Sequence, residues 1–262
     1  MDLDLTGRHA LVCGASQGIG LACAMELAAL GADITALARR GDALQKVVDA
    51  LPRVHAAQNH GYIVADSGDT DRLRAQAEAL VAAGPVHILI NNSGGPPPGT
   101  VLGAESDAFL DAYRKHLLAN HVLAETVIPG MRQDGWGRIV NIISTSVKEP
   151  IAGLGVSNTT RGAVASWAKT LARELAPFGI TVNNVLPGST RTPRIEQIVA
   201  TRAEKSSRSI DEAVREMTAE IPLGRFADPA ETAAAVAFLA SPAAGYITGI
   251  NLPVDGGRTR SL

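Results

Sequence analysis

Short apolar segments alternate with helical segments along almost the whole chain, and this alternation restricts the fold more than any other feature of the sequence. The apolar segments are RHALVC (8–13), DITALA (33–38), YIVAD (62–66), VHILINN (86–92), RIVNIIS (138–144) and ITVNNVLPG (180–188). They are rich in β-branched residues, apolar on both faces and separated by sequences of helical period. This pattern predicts an α/β fold, a parallel sheet flanked by helices on both sides.

The alternation runs without a linker or a change in composition over 4–255, which predicts a single domain covering 1–262. One polar, helix-prone stretch, about 192–220, interrupts it after the last of these strands. Insertions after the carboxyl end of a strand lie where open α/β sheets bind ligands, so we interpret this stretch as a small helical lid. The alternative is a surface pair of helices with no role in binding.

Charge and hydropathy exclude several classes of function. The 24 Lys and Arg nearly balance the 26 Asp and Glu, which provides no strong field for nucleic acid or anionic lipid. The longest apolar run, 233–240, is far shorter than the ~20 residues that cross a bilayer. The two cysteines, Cys13 and Cys23, are too few for a disulfide framework, and no Cys/His spacing indicates a metal site. We expect a cytoplasmic protein that binds small molecules.

A glycine-rich turn follows the first predicted strand and opens the first predicted helix. Gly14, Gly18 and Gly20 have the spacing G-x-x-x-G-x-G. Glycine lets a backbone approach a pyrophosphate closely, and a helix N-terminus offers free N–H groups and the positive end of a dipole. By itself the turn could also serve only tight packing.

Further motifs occur in a characteristic order along the chain. They are Asn91-Asn92-Ser93-Gly94, Pro187-Gly188, Gly224-Arg225, Asp228-Pro229 and YITGINLPVDGG (246–257). Together with the glycine turn they resemble the short-chain dehydrogenase/reductase family, in particular its 3-oxoacyl-acyl-carrier-protein reductase-like members. The resemblance covers nearly the whole chain and implies a doubly wound Rossmann fold of about seven strands. Cys13 stands where the family usually has Thr, and Ser93 where it has Ala.

The resemblance also implies a dinucleotide cofactor and the residues that hold it. Gly14, Gly18, Ile19 and Gly20 would hold the pyrophosphate. Asp66 would bond the adenine, Asn91 the adenosine ribose region and Thr192 the nicotinamide carboxamide. The cofactor positions that the resemblance implies are Gly14, Ser16, Gln17, Gly18, Ile19, Gly20, Asp66, Asn91, Ser93, Gly94, Arg161, Pro187, Gly188 and Thr192.

The second strand leads into Arg39 and Arg40, where a protein specific for NAD more often has an acid that binds the ribose 2′-hydroxyl. A guanidinium pairs instead with the 2′-phosphate of NADP through charge-assisted hydrogen bonds. We therefore predict that NADP(H) is preferred over NAD(H). The alternative is that the two arginines are a solvated pair in a loop.

The family's catalytic positions are largely substituted. The family uses a Tyr-x-x-x-Lys helix, a Ser thirteen residues before the Tyr, and an Asn on the preceding helix. Ser144 fits the serine, but Ser157 and Arg161 replace the Tyr and the Lys. In the family a Pro usually lies thirteen residues after this Asn, so counting back from Pro129 places His116 at the Asn position. Asn120, four residues later, could take that role only if the helix register differs.

These substitutions change the acid–base chemistry. A serine hydroxyl is a far weaker acid than a tyrosine phenol, so Ser157 is a poor proton donor. Arg161 keeps a positive charge that can bind the nicotinamide ribose, but it cannot pass on a proton. We hypothesise that His116 exchanges the proton while Ser144 and Ser157 hydrogen-bond the substrate oxygen. The alternative is an ordinary helix histidine.

Three functions are compatible with these positions. The first is an NADP(H)-dependent oxidoreductase that transfers hydride between nicotinamide and a small carbonyl or hydroxyl substrate, acyl thioesters included. The second is a catalytically silent dinucleotide-binding protein that acts as a sensor, scaffold or partner subunit; a lyase or isomerase is a third possibility. Tyr113, Lys148 and Glu149 are further candidates for substrate contacts. The resemblance also implies a homotetramer or homodimer.

Overall fold

A seven-stranded sheet forms the centre of the protein. A computed structural model describes residues 1–261, and every neighbouring pair of strands in it is parallel, in the order β3-β2-β1-β4-β5-β6-β7. The strands are β1 (His9–Cys13), β2 (Asp33–Ala38), β3 (His60–Val64), β4 (Ile88–Asn91), β5 (Gly137–Ile142), β6 (Ile180–Pro187) and β7 (Asn251–Val254). The predicted fold class, a doubly wound Rossmann fold with a parallel sheet, is confirmed.

Helices connect the strands and cover both faces of the sheet. They are α1 (Gly18–Ala29), α2 (Gly41–Ala50), α3 (Thr70–Ala83), α4 (Ser106–Tyr113), α5 (Ala119–Gln133), α6 (Gly155–Leu175), α7 (Pro193–Ser206), α8 (Ile210–Ala219) and α9 (Pro229–Ala240). A π-helical turn, Arg114–Leu118, joins α4 to α5. Asp228 and Glu231 form a capping box at the start of α9, and Pro229 occupies the first position of the helix.

The alternation of side chains along the strands produces two cores. Ile88 and Ile90 of β4 lie in the core under α1, α2 and α9, whereas Leu89 between them lies in the core under α3, α5 and α6. All three are fully buried. This two-sided burial explains why the central strands carry apolar residues on both faces rather than on one.

The strand order reverses between β1 and β4, and this reversal positions the site. The connection after β1 leads to β2 on one side of β1, whereas β4 lies on the other side. Such a reversal opens a crevice at the carboxyl edge of a parallel sheet, where ligands bind. Every predicted site residue that follows a strand therefore lies at this one edge.

The stretch about 192–220 consists of α7 and α8, which follow β6 at the same edge. These helices share a small core of their own, made by Val199, Ala203, Ala213, Ile221 and Phe226. Ser209 and Glu212 form a capping box that starts α8. The two helices are thus a compact unit placed beside the crevice.

Among residues 1–261, no helix combines the length and the apolar character that a transmembrane segment needs. The same residues contain no group of three or more His, Cys, Asp or Glu side chains that could hold a metal ion.

Two histidines accept backbone amides at the opposite, amino-terminal edge of the sheet, and a third histidine contacts a side-chain hydroxyl there. His87 Nδ1 accepts the amide of His9 at 3.0 Å, and His60 Nδ1 accepts the amide of Ile34 at 3.2 Å. His9 in turn contacts Thr35 Oγ1 through Nε2 at 2.8 Å. Burial lowers the pKa of all three rings below that of a free histidine.

These pKa values predict that the protein loses stability in mild acid. In the unfolded chain these histidines bind protons near pH 6.5, whereas in the native protein they stay neutral to a lower pH. Their contribution to the free energy of unfolding is therefore fully present above pH 6.5 and is lost as the pH falls. The thermal midpoint should therefore fall between pH 7.5 and pH 5, by about 2–4 °C for each kcal/mol lost.

The variant His60→Asn keeps an acceptor for the Ile34 amide but no titratable ring, and it should reduce this pH dependence. His121→Asn removes an exposed histidine from α5 and should leave it unchanged. If the thermal midpoint of the unmutated protein is the same at pH 7.5 and pH 5, the lowered pKa values assigned to these histidines are wrong.

Candidate functional site

The glycine turn after β1 is built by close contacts that exclude side chains. Gly14 and Gly18 have positive φ angles of 62° and 58°. A Cβ on Gly20 would lie 2.7 Å from Asn92 Nδ2, and closer still to the carbonyl oxygen of Gly14. Asn92 Nδ2 donates to the Cys13 carbonyl at 3.3 Å, so the segment after β4 packs directly on the turn. Glycine is required here by geometry.

The turn presents free backbone donors. Within residues 1–261, none of the amides from Ser16 to Gly20 donates a hydrogen bond to a protein acceptor. Gln17, the N-cap of α1, provides no side-chain cap either. Unpaired amides together with the positive end of the α1 dipole suit the oxygens of a pyrophosphate. The turn therefore fits the dinucleotide that the sequence predicts.

The two arginines predicted to bind a 2′-phosphate lie at the carboxyl end of β2. Arg39 and Arg40 are exposed, and neither makes an ion pair within the described part of the chain. Asp66, also exposed, follows β3 at the same edge and accepts the Gly68 amide at 2.9 Å. Both guanidinium groups are available to an anionic ligand.

Asn91 lies in the sheet itself. Its Nδ2 donates to Asn141 Oδ1 at 2.8 Å, Asn141 donates to Asn184 at 2.9 Å, and Asn184 donates to Asn251 at 2.8 Å. These four residues are paired in register across β4, β5, β6 and β7. This amide ladder links the four strands side by side, and it leaves Asn91 Oδ1 buried without a partner in 1–261.

The segments after β1 and β6 meet at Thr192. A Cβ on Gly18 would lie 3.1 Å from Thr192 Cγ2, so these two predicted cofactor positions are neighbours. Pro187 ends β6, and the Gly188 amide donates to the Val254 carbonyl at 2.9 Å. Gly94 is exposed, with open space on its Cβ side.

Two hydroxyl groups lie beyond β5. Ser144 caps the helical turn Thr145–Val147, with its Oγ accepting the Ser146 amide at 3.1 Å. Ser157 lies in the first turn of α6, and its hydroxyl makes no hydrogen bond within the described residues. Both side chains are only partly buried. They can accept or donate a hydrogen bond to a ligand in the crevice.

His116 is buried rather than open to the crevice. Only 1% of its surface is exposed, and its Nδ1 lies 2.5 Å from Ser93 Oγ. Burial and the positive charges of Arg161 and Lys115 lower the pKa of His116 to about 3. At neutral pH the ring is uncharged and has no imidazolium proton to donate. The exchange of the catalytic proton through His116 stays a prediction, and it now applies only to the uncharged form of the ring.

Arg161 is a buried cation that contacts backbone oxygens. It is 6% exposed; Nη1 donates to the Ile142 carbonyl and Nη2 to the Ser93 carbonyl, each at 3.2 Å. Burial lowers its pKa to about 10, so it keeps its charge at neutral pH. No carboxylate in residues 1–261 forms an ion pair with it. A buried charge without a counterion is costly unless a ligand completes its coordination.

Long-range contacts connect the walls of the crevice. Arg194 Nη2 at the start of α7 donates to the Pro96 carbonyl at 2.9 Å. This bond joins the segment after β6 to the segment after β4, two strands that lie on either side of β5. Glu149 Oε1 accepts the amides of Arg260 and Ser261 at 2.6 and 2.7 Å, so the C-terminal segment reaches the same loop. Among the predicted substrate contacts, the Glu149 carboxylate is thus already engaged.

The family model described as enoyl-(acyl carrier protein) reductase matches residues 14–259. A solved structure described as a short-chain dehydrogenase/reductase family protein is 32% identical, with a TM-score of 0.82 over 97% of this chain and 99% of its own. The chain belongs to the short-chain dehydrogenase/reductase family.

Other members of the family are similar over their full length. The 3-oxoacyl-[acyl-carrier-protein] reductase FabG of Pseudomonas aeruginosa is 32% identical over 258 residues, 97% of this chain and 98% of the relative. The NADPH-dependent reductase BacG of Bacillus subtilis is 31% identical over 98% of this chain and 100% of its own. The L-sorbose reductase of Gluconobacter frateurii, solved with NADPH and L-sorbose, is 30% identical with a TM-score of 0.93 over all of both chains.

Sequence reasoning did not identify three of these arrangements. The contact between Ser93 and His116 depends on the π-helical turn, the amide ladder on the register of four strands, and the Arg194 bond on a separation of 98 residues. The only sequence signal was that Ser93 and His116 both depart from the family's pattern.

The glycine turn gives a direct test of this geometry. Gly20→Ala places a methyl group against the Gly14 carbonyl and Asn92, and such overpacking costs about 1–3 kcal/mol. The thermal midpoint should therefore fall by several degrees. Gly94→Ala is the matched control, because a Cβ there meets no atom within 4 Å. Equal midpoints for the two variants would contradict the described packing.

Proposed function

We propose that this member of the family is an NADP(H)-dependent oxidoreductase that interconverts a small carbonyl and its alcohol by hydride transfer. The proposal rests on three groups of residues at the carboxyl edge of the sheet. Free amides at the glycine turn, two unpaired arginines beyond β2 and the buried charge of Arg161 lie along one crevice, in the order that a dinucleotide's phosphates and nicotinamide ribose require.

The NADP preference rests on Arg39 and Arg40 together with the relatives. The L-sorbose reductase was solved with NADPH, and BacG is described as an NADPH-dependent reductase. In this chain the exposed guanidinium groups after β2 provide the matching charge for a 2′-phosphate.

Bound NADPH supplies the hydride, and the side chains of this chain act on the substrate oxygen. Ser144 and Ser157 present hydroxyl donors that hold a carbonyl oxygen. The same hydroxyl groups would stabilise negative charge that develops on that oxygen, while the positive charge of Arg161 would hold the nicotinamide ribose. Because His116 is neutral and serine is a weak acid, the proton that completes the alcohol comes from solvent water.

The silent dinucleotide-binding protein is the second candidate, and the loss of the Tyr and the Lys favours it. It shares the cofactor site with the first candidate but predicts no oxidation of bound NADPH by any carbonyl. The substrate class proposed here, small carbonyls and acyl thioesters, follows the relatives' names. A cytoplasmic homotetramer or homodimer remains our expectation from the resemblance.

Replacing both Arg39 and Arg40 by Ser should weaken NADPH binding about 10–100-fold, because charge-assisted hydrogen bonds contribute roughly 1.5–3 kcal/mol. NADH has no 2′-phosphate, so its affinity should stay within about threefold. Fluorescence titration of both coenzymes measures this. Arg173→Ser, an exposed arginine on α6, is the control. Equal losses for NADH and NADPH would refute the phosphate role.

Catalysis is tested by following nicotinamide absorbance with NADPH and a panel of ketones, aldehydes and acyl thioesters. We expect oxidation by at least one class and a rate without an acid limb between pH 5 and pH 7.5, because His116 does not titrate there. Ser144→Ala should lower the rate, whereas Ser166→Ala on the exposed face of α6 should not.

Two results count against this proposal. Tight NADPH binding without turnover of any carbonyl would favour the silent protein. A limb near pH 6.5 that disappears in His116→Asn would show that the histidine exchanges the proton after all.

A further inference from the structure

Three residues at which this chain departs from the family's pattern are in contact with one another. Ser93 Oγ lies 2.5 Å from His116 Nδ1, and the Ser93 carbonyl accepts Arg161 Nη2 at 3.2 Å. Ser93 follows β4, His116 lies in the π-helical turn and Arg161 lies in α6. One residue therefore connects the sheet to both helices that line the crevice.

The π-helical turn is what brings His116 into this cluster. The Ala119 amide donates to the Arg114 carbonyl, five residues back instead of four, which shifts the register between α4 and α5. The ring of His116 is then buried against the segment after β4 rather than left on a helix surface. Such a turn disturbs regular helical bonding, and it commonly marks a functional site.

The charges of the cluster also fit together. Arg161 is its only buried cation, and Lys115, the other positive group close to His116, pairs with Asp111 at 2.8 Å. A protonated His116 would place a second charge beside Arg161 without a carboxylate, so the neutral ring is the form that the cluster accommodates. The hydroxyl of Ser93 is the hydrogen-bonding partner of that neutral ring.

We propose that Ser93 and His116 are positioning residues for Arg161. The bond between Ser93 and His116 fixes the backbone after β4, and with it the carbonyl that orients the Arg161 guanidinium toward the cofactor's nicotinamide end. The three residues work as one unit, so each depends on the other two. This inference rests on the proposed function, because it assigns Arg161 to the bound dinucleotide.

The family's own residues provide variants that suit this fold. Ser93→Ala, His116→Asn and Arg161→Lys each restore one residue of the family pattern. If the three act as a unit, each single change should weaken NADPH binding at least about fivefold, and the combined triple variant should lose no more affinity than the most damaging single change. Lys has a single charged head, which cannot bridge the Ser93 and Ile142 carbonyls as the Arg161 fork does.

The experiment is an NADPH titration of the full chain without substrate, with the thermal midpoint measured for every variant. The expected result is a loss of affinity in the triple variant that is smaller than the product of the three single losses and that does not follow the changes in thermal midpoint; a merely structural role would move midpoints and affinities together. His121→Asn on the exposed face of α5 is the matched control. A second readout, ¹⁵N NMR of the His116 ring, should show a neutral ring from pH 8 to pH 5 whose shifts change in Ser93→Ala.

The outcomes separate this inference from the proposed function. If the three losses simply multiply in the triple variant, or if the single changes have no effect, the positioning role is refuted while NADPH binding stands. If the unmutated chain does not bind NADPH, the proposed function and the inference both fail.

Discussion

The reversal of strand order between β1 and β4 is the constraint on which the rest of the molecule depends. Because all seven strands are parallel, the loops that follow β1 to β6 emerge at one edge. The helices that follow β1 and β4 cover opposite faces of the sheet, and this opens a crevice between them. Asn92 then closes the floor of that crevice by packing on the glycine turn. Residues far apart in sequence become one site for this reason alone.

We propose that the substituted catalytic positions form a rebuilt site rather than a decayed one. A site that had only lost its chemistry would leave Arg161 buried without a role, and an uncompensated buried charge lowers stability. Instead the guanidinium has two backbone acceptors, and one of them belongs to a residue that also bonds His116. In this proposal the charge of Arg161 binds the dinucleotide, and none of the substituted side chains donates a proton at neutral pH.

Local patterns predicted much of the molecule. The β-branched runs and the glycine turn identified β1, β2, β5 and β6 to within two residues, because burial on both faces leaves a direct mark on the sequence. The stretch of helical period between β4 and β5 is divided into α4, a π-helical turn and α5. A π-helical turn has no sequence signature, so neither the burial of His116 nor its contact with Ser93 was predictable. The amide ladder of Asn91 likewise depends on pairing registers that only the sheet establishes.

The most direct test of the whole account is a crystal structure of the protein grown with excess NADPH. The account predicts the pyrophosphate on the amides of Ser16 to Gly20, the 2′-phosphate between Arg39 and Arg40, and the Arg161 guanidinium on the nicotinamide ribose with its bond to the Ser93 carbonyl retained. A crevice closed by the protein's own side chains, or a coenzyme bound away from the carboxyl edge of the sheet, would contradict it.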